Sequence, residues 1–421
     1  MKMAFTKSVF DYHDWRFLVF IILSLSLIMF FSLDSSFSYF VFDLSYHKVE
    51  NTVISKNDGS KVENNTVVSK NDGLIGSKMA VCLVGGARRF ELTGPSIMEM
   101  VLKQYPNSDL FLHSPIDKDS FKFSLLKSAP NKVAAVRLFY PQPLPENDSS
   151  VRVLTAQNSP NGIQGLLQYF NLVEGCLTMI KSHQQKNNFT YDWIVRTRVD
   201  GYWNNPLGPE YFIPGQYLVP PGSAFRGLND RLGIGDITTS TVALNRLSLI
   251  PQLDSLGLKE LNSESAFKAQ LEAQNISYIT KRLPFCILSD RRYNFPPGRF
   301  GVPVGSLSSQ SLLSGAKCRP CTPVCRGACV EDVMGSVEKF WSWTNYEDGA
   351  LELCDARKGW EKDWENIFDR VAGKKYAKAR KGIHSMKFDK CVKDLLQLKK
   401  RSAYWDAPSV EDICKLGFNP F

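Results

Sequence analysis

Met79 to Val84 (Met-Ala-Val-Cys-Leu-Val) is an apolar run with no polar interruption. At strand length such a run has no polar face to turn toward water, so both of its faces must be covered, as they are in a parallel sheet layered between helices. The run ends at Gly85-Gly86-Ala87-Arg88-Arg89-Phe90. A strand that meets a glycine turn is where open α/β sheets let a ligand approach the backbone, and Arg88 or Arg89 is placed there to meet a phosphate. The spacing is not Gly-x-Gly-x-x-Gly, and glycines that merely reverse the chain account for it equally well.

The elements that follow fit an α/β alternation. Asp109–His113 and Ala134–Tyr140 read as short strands. Residues 161–184 carry Ile163, Leu166, Leu167, Phe170, Val173, Leu177 and Ile180 at spacings of three and four, which predicts an amphipathic helix. It feeds Tyr191-Asp-Trp-Ile-Val-Arg-Thr-Arg-Val-Asp200, half of a βαβ unit. As a strand, this stretch puts Trp193, Val195, Thr197 and Val199 on one face and Ile194, Arg196, Arg198 and Asp200 on the other. A charge left unpaired in an interior costs several kcal/mol, so the second face must look at solvent, at partner charges or at an anion. Local pairing of Arg198 with Asp200 is one answer, and a strand end opening into a diphosphate site is the other. Further on come Tyr217–Pro220, a glycine-rich stretch over 225–236, a short helix over 238–249 and a helix over 263–274 with Ser263 as N-cap. Glu264, in the first turn of that helix, has an ordinary explanation in the helix dipole.

Near the N-terminus, Phe17 to Leu33 is 17 residues without a charge, preceded by Lys2, Lys7 and Arg16 and followed by Asp34. This predicts a short transmembrane helix at 17–33 with a cytosolic tail at 1–16, and the positive-inside rule makes the topology type II with the bulk of the chain lumenal. A polar stretch to residue 77, carrying a 14-residue repeat in two copies, reads as a stem over 34–77. Four Asn-x-Ser/Thr sequons, at Asn64, Asn147, Asn188 and Asn275, are compatible with a lumenal location.

Ten cysteines divide unevenly, with Cys82, Cys176 and Cys286 isolated and seven crowding the last quarter of the chain. The run Cys318, Cys321, Cys325, Cys329 has spacings that suit zinc in a cytosolic protein, but an oxidising lumen predicts disulfides. Connectivity cannot be read from the spacing. Of the net charge of +9, the whole surplus lies between Ala356 and Arg401. Its Lys374–Lys381 segment reads as a solvated basic helix face, and a lumenal location disfavours nucleic acid as a partner.

Taken together, the apolar strand into Gly-Gly-x-Arg, the amphipathic helix, the Tyr191–Asp200 stretch, Leu-Asn-Asp-Arg-Leu-Gly-Ile-Gly-Asp at 228–236 and the Ser-Glu-led helix resemble nucleotide-sugar glycosyltransferases of the GT-A type. The resemblance implies a Rossmann-like α/β domain, mostly parallel with flanking helices, over 78–310, followed by a cysteine-rich, largely helical region over 311–421. It implies a nucleotide-sugar donor, a glycan or glycoconjugate acceptor, a Golgi or other secretory-pathway membrane, and manganese or magnesium at an Asp-x-Asp motif. Asp200 stands at the surviving carboxylate as metal ligand, and Arg198 occupies its partner's place, where a guanidinium can itself grip phosphate. Gly85, Gly86, Arg88, Arg196 and Arg198 are then expected to line the donor, with Asp200, Asp236 and Glu264 as candidate catalytic carboxylates. A non-catalytic lumenal protein that retains the fold as a binding or scaffolding surface is the competing expectation.

Overall fold

The computed structural model describes residues 74, 76–157, 159, 161–295, 302–337 and 350–418. The expected tail, anchor and repeat lie outside these residues. No helix among the described residues is long and apolar enough to cross a membrane.

The apolar run forms β1 (Met79–Val84), with every side chain buried. A second helix-flanked strand, β2 (Ser108–Pro115), pairs with it in parallel on one side and β4 (Trp193–Arg198) on the other. The helix α1 (Phe90–Met100) leaves β1, and β3 (Lys132–Phe139) extends the sheet beyond β2. The long helix α2 (Gly162–Asn187) precedes β4. Phe90 and Ile97 of α1 join a core with Val81, Leu83, Trp193 and Val195, whereas Val173, Cys176 and Ile180 of α2 join another with Ala80, Cys82 and Ile194. Alternate residues of β1 and β4 therefore feed opposite helix layers, which is why neither strand keeps a wet face.

Among the described residues the large sheet has eight strands, ordered β12-β3-β2-β1-β4-β7-β6-β8, where β6 is Gln216–Val219, β7 Leu232–Asp236, β8 Ser277–Thr280 and β12 Trp405–Asp406. It is mostly parallel, and β7 alone runs against its neighbours β4 and β6. The short helix expected over 238–249 is α3 (Ile237–Leu244), with a separate turn of helix at Ile250–Ser255. Helix α4 (Ser263–Ala273) matches its expectation closely, but its N-cap is Asn262, not Ser263. The Asn262 side chain accepts from Ser265 N while the Ser265 hydroxyl accepts from Asn262 N, a reciprocal cap that Ser263 cannot make from one residue further in.

Past β4 only Val199 and Asp200 intervene before β5 (Gly201–Trp203), which belongs to a different sheet. This small sheet has the order β10-β11-β9-β5, with β9 at Phe285–Leu288, β10 at Gly305–Ser306 and β11 at Lys317–Arg319. Residues 311–421 are accordingly interwoven with the α/β layers: β11 pairs with β9, β12 edges the large sheet beside β3, and Leu395 and Leu398 of the helix Phe388–Arg401 enter the same core as Val81. Val67–Phe421 forms one compact unit.

All ten cysteines are paired, as Cys82–Cys176, Cys286–Cys318, Cys321–Cys354, Cys325–Cys329 and Cys391–Cys414. The three that look isolated in the sequence are thus bonded too: Cys82 ties β1 to α2, and Cys286 ties β9 to β11. In the helix Lys374–His384, Lys374, Lys375, Lys378 and Lys381 face water while Tyr376, Ala377, Arg380 and Ile383 pack inward.

Candidate functional site

The strand order places β2 and β3 on one side of β1 and β4 on the other, so the chain changes direction across the sheet between β1 and β4. At such a switch point the loops leaving adjacent parallel strands diverge and open a crevice at their C-terminal ends. Val84 pairs with Arg198 at that end, so the Gly85-Gly86-Ala87-Arg88 turn and the Arg198-Val199-Asp200 segment are its two lips. Gly85 has φ +125°, a conformation that L side chains rarely adopt, and it lets the chain turn away above Val199.

Arg198 grips Asp200 with both prongs, Nε to Oδ1 and Nη2 to Oδ2, each at 2.7 Å. Arg88, whose side chain is 63% exposed, reaches the same Oδ2 at 3.4 Å. Burial opposes the charged form of Asp200, which is 5% exposed, but Arg198, Lys317 and Arg88 outweigh it and hold the carboxyl well below the usual range. The local pair read from the sequence is thus formed, and it is formed at the C-terminal end of β4, where the switch point leads one to expect a ligand crevice. With both oxygens engaged by guanidinium and a further amine nearby, Asp200 does not fit the part of metal ligand: a divalent cation would have to displace Arg198 and sit among like charges.

Arg196 is corrected more sharply. It is 2% exposed because α2 covers its face of β4, and it donates to the Tyr169 hydroxyl of α2 and to the Asp230 carbonyl. Its charge is absorbed by the fold, out of reach of a donor in the crevice.

Asp236 lies at the wrong end of the sheet. It pairs with Trp193, the first residue of β4, whereas Leu232 pairs with Thr197 near the crevice. Its Oδ1 accepts from Thr239 N at 2.8 Å as the N-cap of α3, and its Oδ2 accepts from Gly215 N. Both oxygens serve the backbone, so Asp236 is a structural cap.

Glu264 does reach the site. The 225–231 loop presses on the start of α4 so closely that a Cβ on Gly227 would lie 2.0 Å from the Glu264 carbonyl oxygen, and Leu228 N donates to that oxygen. This contact brings Asp230 and Arg231 beside the Ser263-Glu264 pair. Ser263 Oγ donates to Asp230 Oδ2 at 3.1 Å and to Glu264 Oε2 at 2.9 Å. Burial, followed by the Asp230 charge, pushes the half-buried Glu264 carboxyl up to about 7. The helix dipole favours its ionised form, as the sequence suggests, but the dipole does not set its protonation here.

Asp230, Arg231 and Lys317 are residues of the site that carry no role in the sequence reading. Arg231 stands at the start of β7, opposite the end of β4, and its Nη1 donates to the Gly315 carbonyl at 2.6 Å, tying the β11 approach to the crevice. Lys317 opens β11 and pairs across the small sheet with Ile287, which itself pairs with Gly201, the residue after Asp200. Burial, then Arg198, depresses Arg231, and burial, then Arg231 and Arg198, holds Lys317 well below its ordinary range. Asp230 and Arg231 belong to the Leu228–Asp236 motif and were visible there as charges. Lys317 has no local signal at all, since only the second sheet brings it to this place.

Residues 74–420 match the family described as Domain of unknown function (DUF7796), and the chain belongs to that family. No curated protein matches the sequence.

Proposed function

We propose that this family member is a lumenal glycosyltransferase that moves a sugar from a nucleotide-sugar donor to a glycan or glycoconjugate acceptor, with a GT-A-like fold held by a single type II membrane span in the Golgi or another secretory-pathway membrane. The observation that carries the reading is one cluster at the β1/β4 switch point combining a glycine turn, a surplus of cations at Arg88, Arg198, Arg231 and Lys317, and a carboxyl poised near neutral pH at Glu264. A diphosphate answers the cations, and the glycine turn admits the nucleotide. Glu264, as carboxylate, takes the proton of the acceptor hydroxyl as its oxygen bonds to the anomeric carbon and the bond from that carbon to the diphosphate oxygen breaks. Burial, and then the Asp230 charge, keep the Glu264 proton affinity high enough for this exchange.

One observation favours the competing reading of a non-catalytic binding protein: Asp200, the remnant of the paired carboxylates that the resemblance implies, is locked by Arg198. The test is a panel of nucleotide sugars offered to the full-length protein in mild detergent, scored for thermal stabilisation and for sugar release. Stabilisation with turnover supports the transferase, stabilisation without turnover even with acceptor glycans supports the binding protein, and indifference to every nucleotide sugar removes both.

A further inference from the structure

We propose that the end of β1 and β4 holds a diphosphate with the cations Lys317, Arg231 and Arg88 in place of a divalent metal, and that Asp200 serves to restrain Arg198 and Arg88 and does not ligate an ion. The inference rests on the reading above only in taking the ligand to be a diphosphate ester.

Three geometric facts carry it. The carboxylate in the metal-ligand position has both oxygens taken by Arg198 at 2.7 Å, and Arg88 adds a third guanidinium contact. Lys317 opens β11 in register with Ile287, which pairs with Gly201 directly after Asp200, so the amine and the carboxylate rise from either side of β9, and Arg231, Arg198 and Arg291 are the cations nearest in effect to it after burial. Arg231 uses one nitrogen on the Gly315 carbonyl, which fixes the guanidinium beside the same opening. Burial, then the guanidiniums, disfavour the charged amine in the empty protein, and an incoming polyanion offsets that cost. Guanidinium forks and a compact ammonium are the side-chain equivalents of the charge that a metal would supply, and they arrive already positioned by β7 and β11. The Cys286–Cys318 bond clamps β9 to β11 beside Lys317, so the amine is presented by a cross-linked strand.

The test uses inorganic pyrophosphate as the probe, titrated calorimetrically into the full-length protein in mild detergent, once with EDTA and once with manganese. Affinities should agree within about threefold between the two, and Lys317→Met and Arg231→Met should each weaken binding about tenfold or more, the loss expected for one charge-assisted contact. Lys317→Arg, which keeps the cation, should retain affinity, and Lys317→Met should melt no lower than wild type because it removes an unfavourable charge. Pyrophosphate that binds only with manganese overturns the proposal, as does undiminished binding by both methionine variants. Should Lys317→Met not fold, Arg231→Met and Lys317→Gln decide in its place. The two readings separate cleanly: pyrophosphate bound in EDTA with no nucleotide sugar bound leaves the anion site and removes the transferase, and nucleotide sugars bound and turned over only with manganese do the reverse.

Discussion

Replacing Asp200 by Asn tests the charge balance of the crevice because it should move stability and affinity in opposite directions. The exchange keeps the side-chain shape and removes the charge that Arg198 holds through two bonds of 2.7 Å. Breaking a fully buried pair from one side costs about 3–5 kcal/mol. Asp200 is buried but the Arg198 side chain is 26% exposed, so water can partly resolvate the orphaned guanidinium, and about 2–3 kcal/mol is the expected loss. The carboxyl is depressed in the folded protein, so the pair contributes fully above its unfolded value of about 4 and is lost as pH falls below it; the variant should therefore lack this part of the acid limb. In the same variant Arg88, Arg198 and Lys317 lose the carboxylate they share. A unit charge over roughly 7 Å at an effective dielectric of about 20 is worth about 2 kcal/mol before salt screening, so pyrophosphate should bind about tenfold more tightly. Urea unfolding at neutral pH reads the first number and calorimetric titration in EDTA the second. Abolished pyrophosphate binding would show that Asp200 is itself a ligand, and an unchanged urea midpoint would show that the pair stands open to water; either result refutes the reasoning.

Glu264→Gln should lower sugar transfer about 100-fold or more if the group is the general base, with pyrophosphate affinity little changed. Because the folded carboxyl is raised to about 7, its contribution to stability is present below its unfolded value and disappears as pH rises through 7, so the Gln variant should be more stable than wild type at pH 8 and match it near pH 4, as thermal melts across that range will check. Asp236→Ala should cost about 1 kcal/mol by urea unfolding through loss of the α3 cap and leave transfer within about twofold; a large loss of turnover would return Asp236 to the site. Replacing Cys391 and Cys414 together by Ser opens a link between residues 23 apart and should cost about 2–4 kcal/mol while sparing pyrophosphate affinity, since the bond lies in the core beneath the C-terminal helices, apart from the crevice.

The sheet was legible wherever one element's pattern determined its own burial. Met79–Val84 has nothing to show water, and the 3.6-residue stripe of α2 has one side to bury, so both were readable in isolation. Strand β7 was not, because Leu-Gly-Ile-Gly-Asp lies in a glycine-rich stretch without an apolar run; its glycines answer to the Tyr217 ring, whose hydroxyl would lie 1.9 Å from a Cβ on Gly233. The site divided along the same line. Gly85, Gly86, Arg88, Arg198 and Asp200 follow their strands to the crevice. Alternation correctly separated Arg196 from the apolar face of β4, but it could not reveal that α2 would cover it or that a backbone carbonyl would receive it. Asp236 was misplaced because a strand running backwards carries its C-terminal residue to the far end of the sheet. Glu264 and Lys317 needed contacts between segments distant in sequence.

The passage from β4 to β5 takes only Val199 and Asp200, and through it one peptide segment joins two separate sheets. A ligand reaching from Arg198 on one sheet to Lys317 on the other acts as a brace across a corner. Independent breathing of the small sheet then becomes costly, and the amides of β9 and β11, remote from any base or sugar, should exchange with deuterium more slowly when the crevice is filled. Occupancy of a phosphate site would thus be felt through β11 as far as β9 and β10, strands that hold none of the proposed ligand groups.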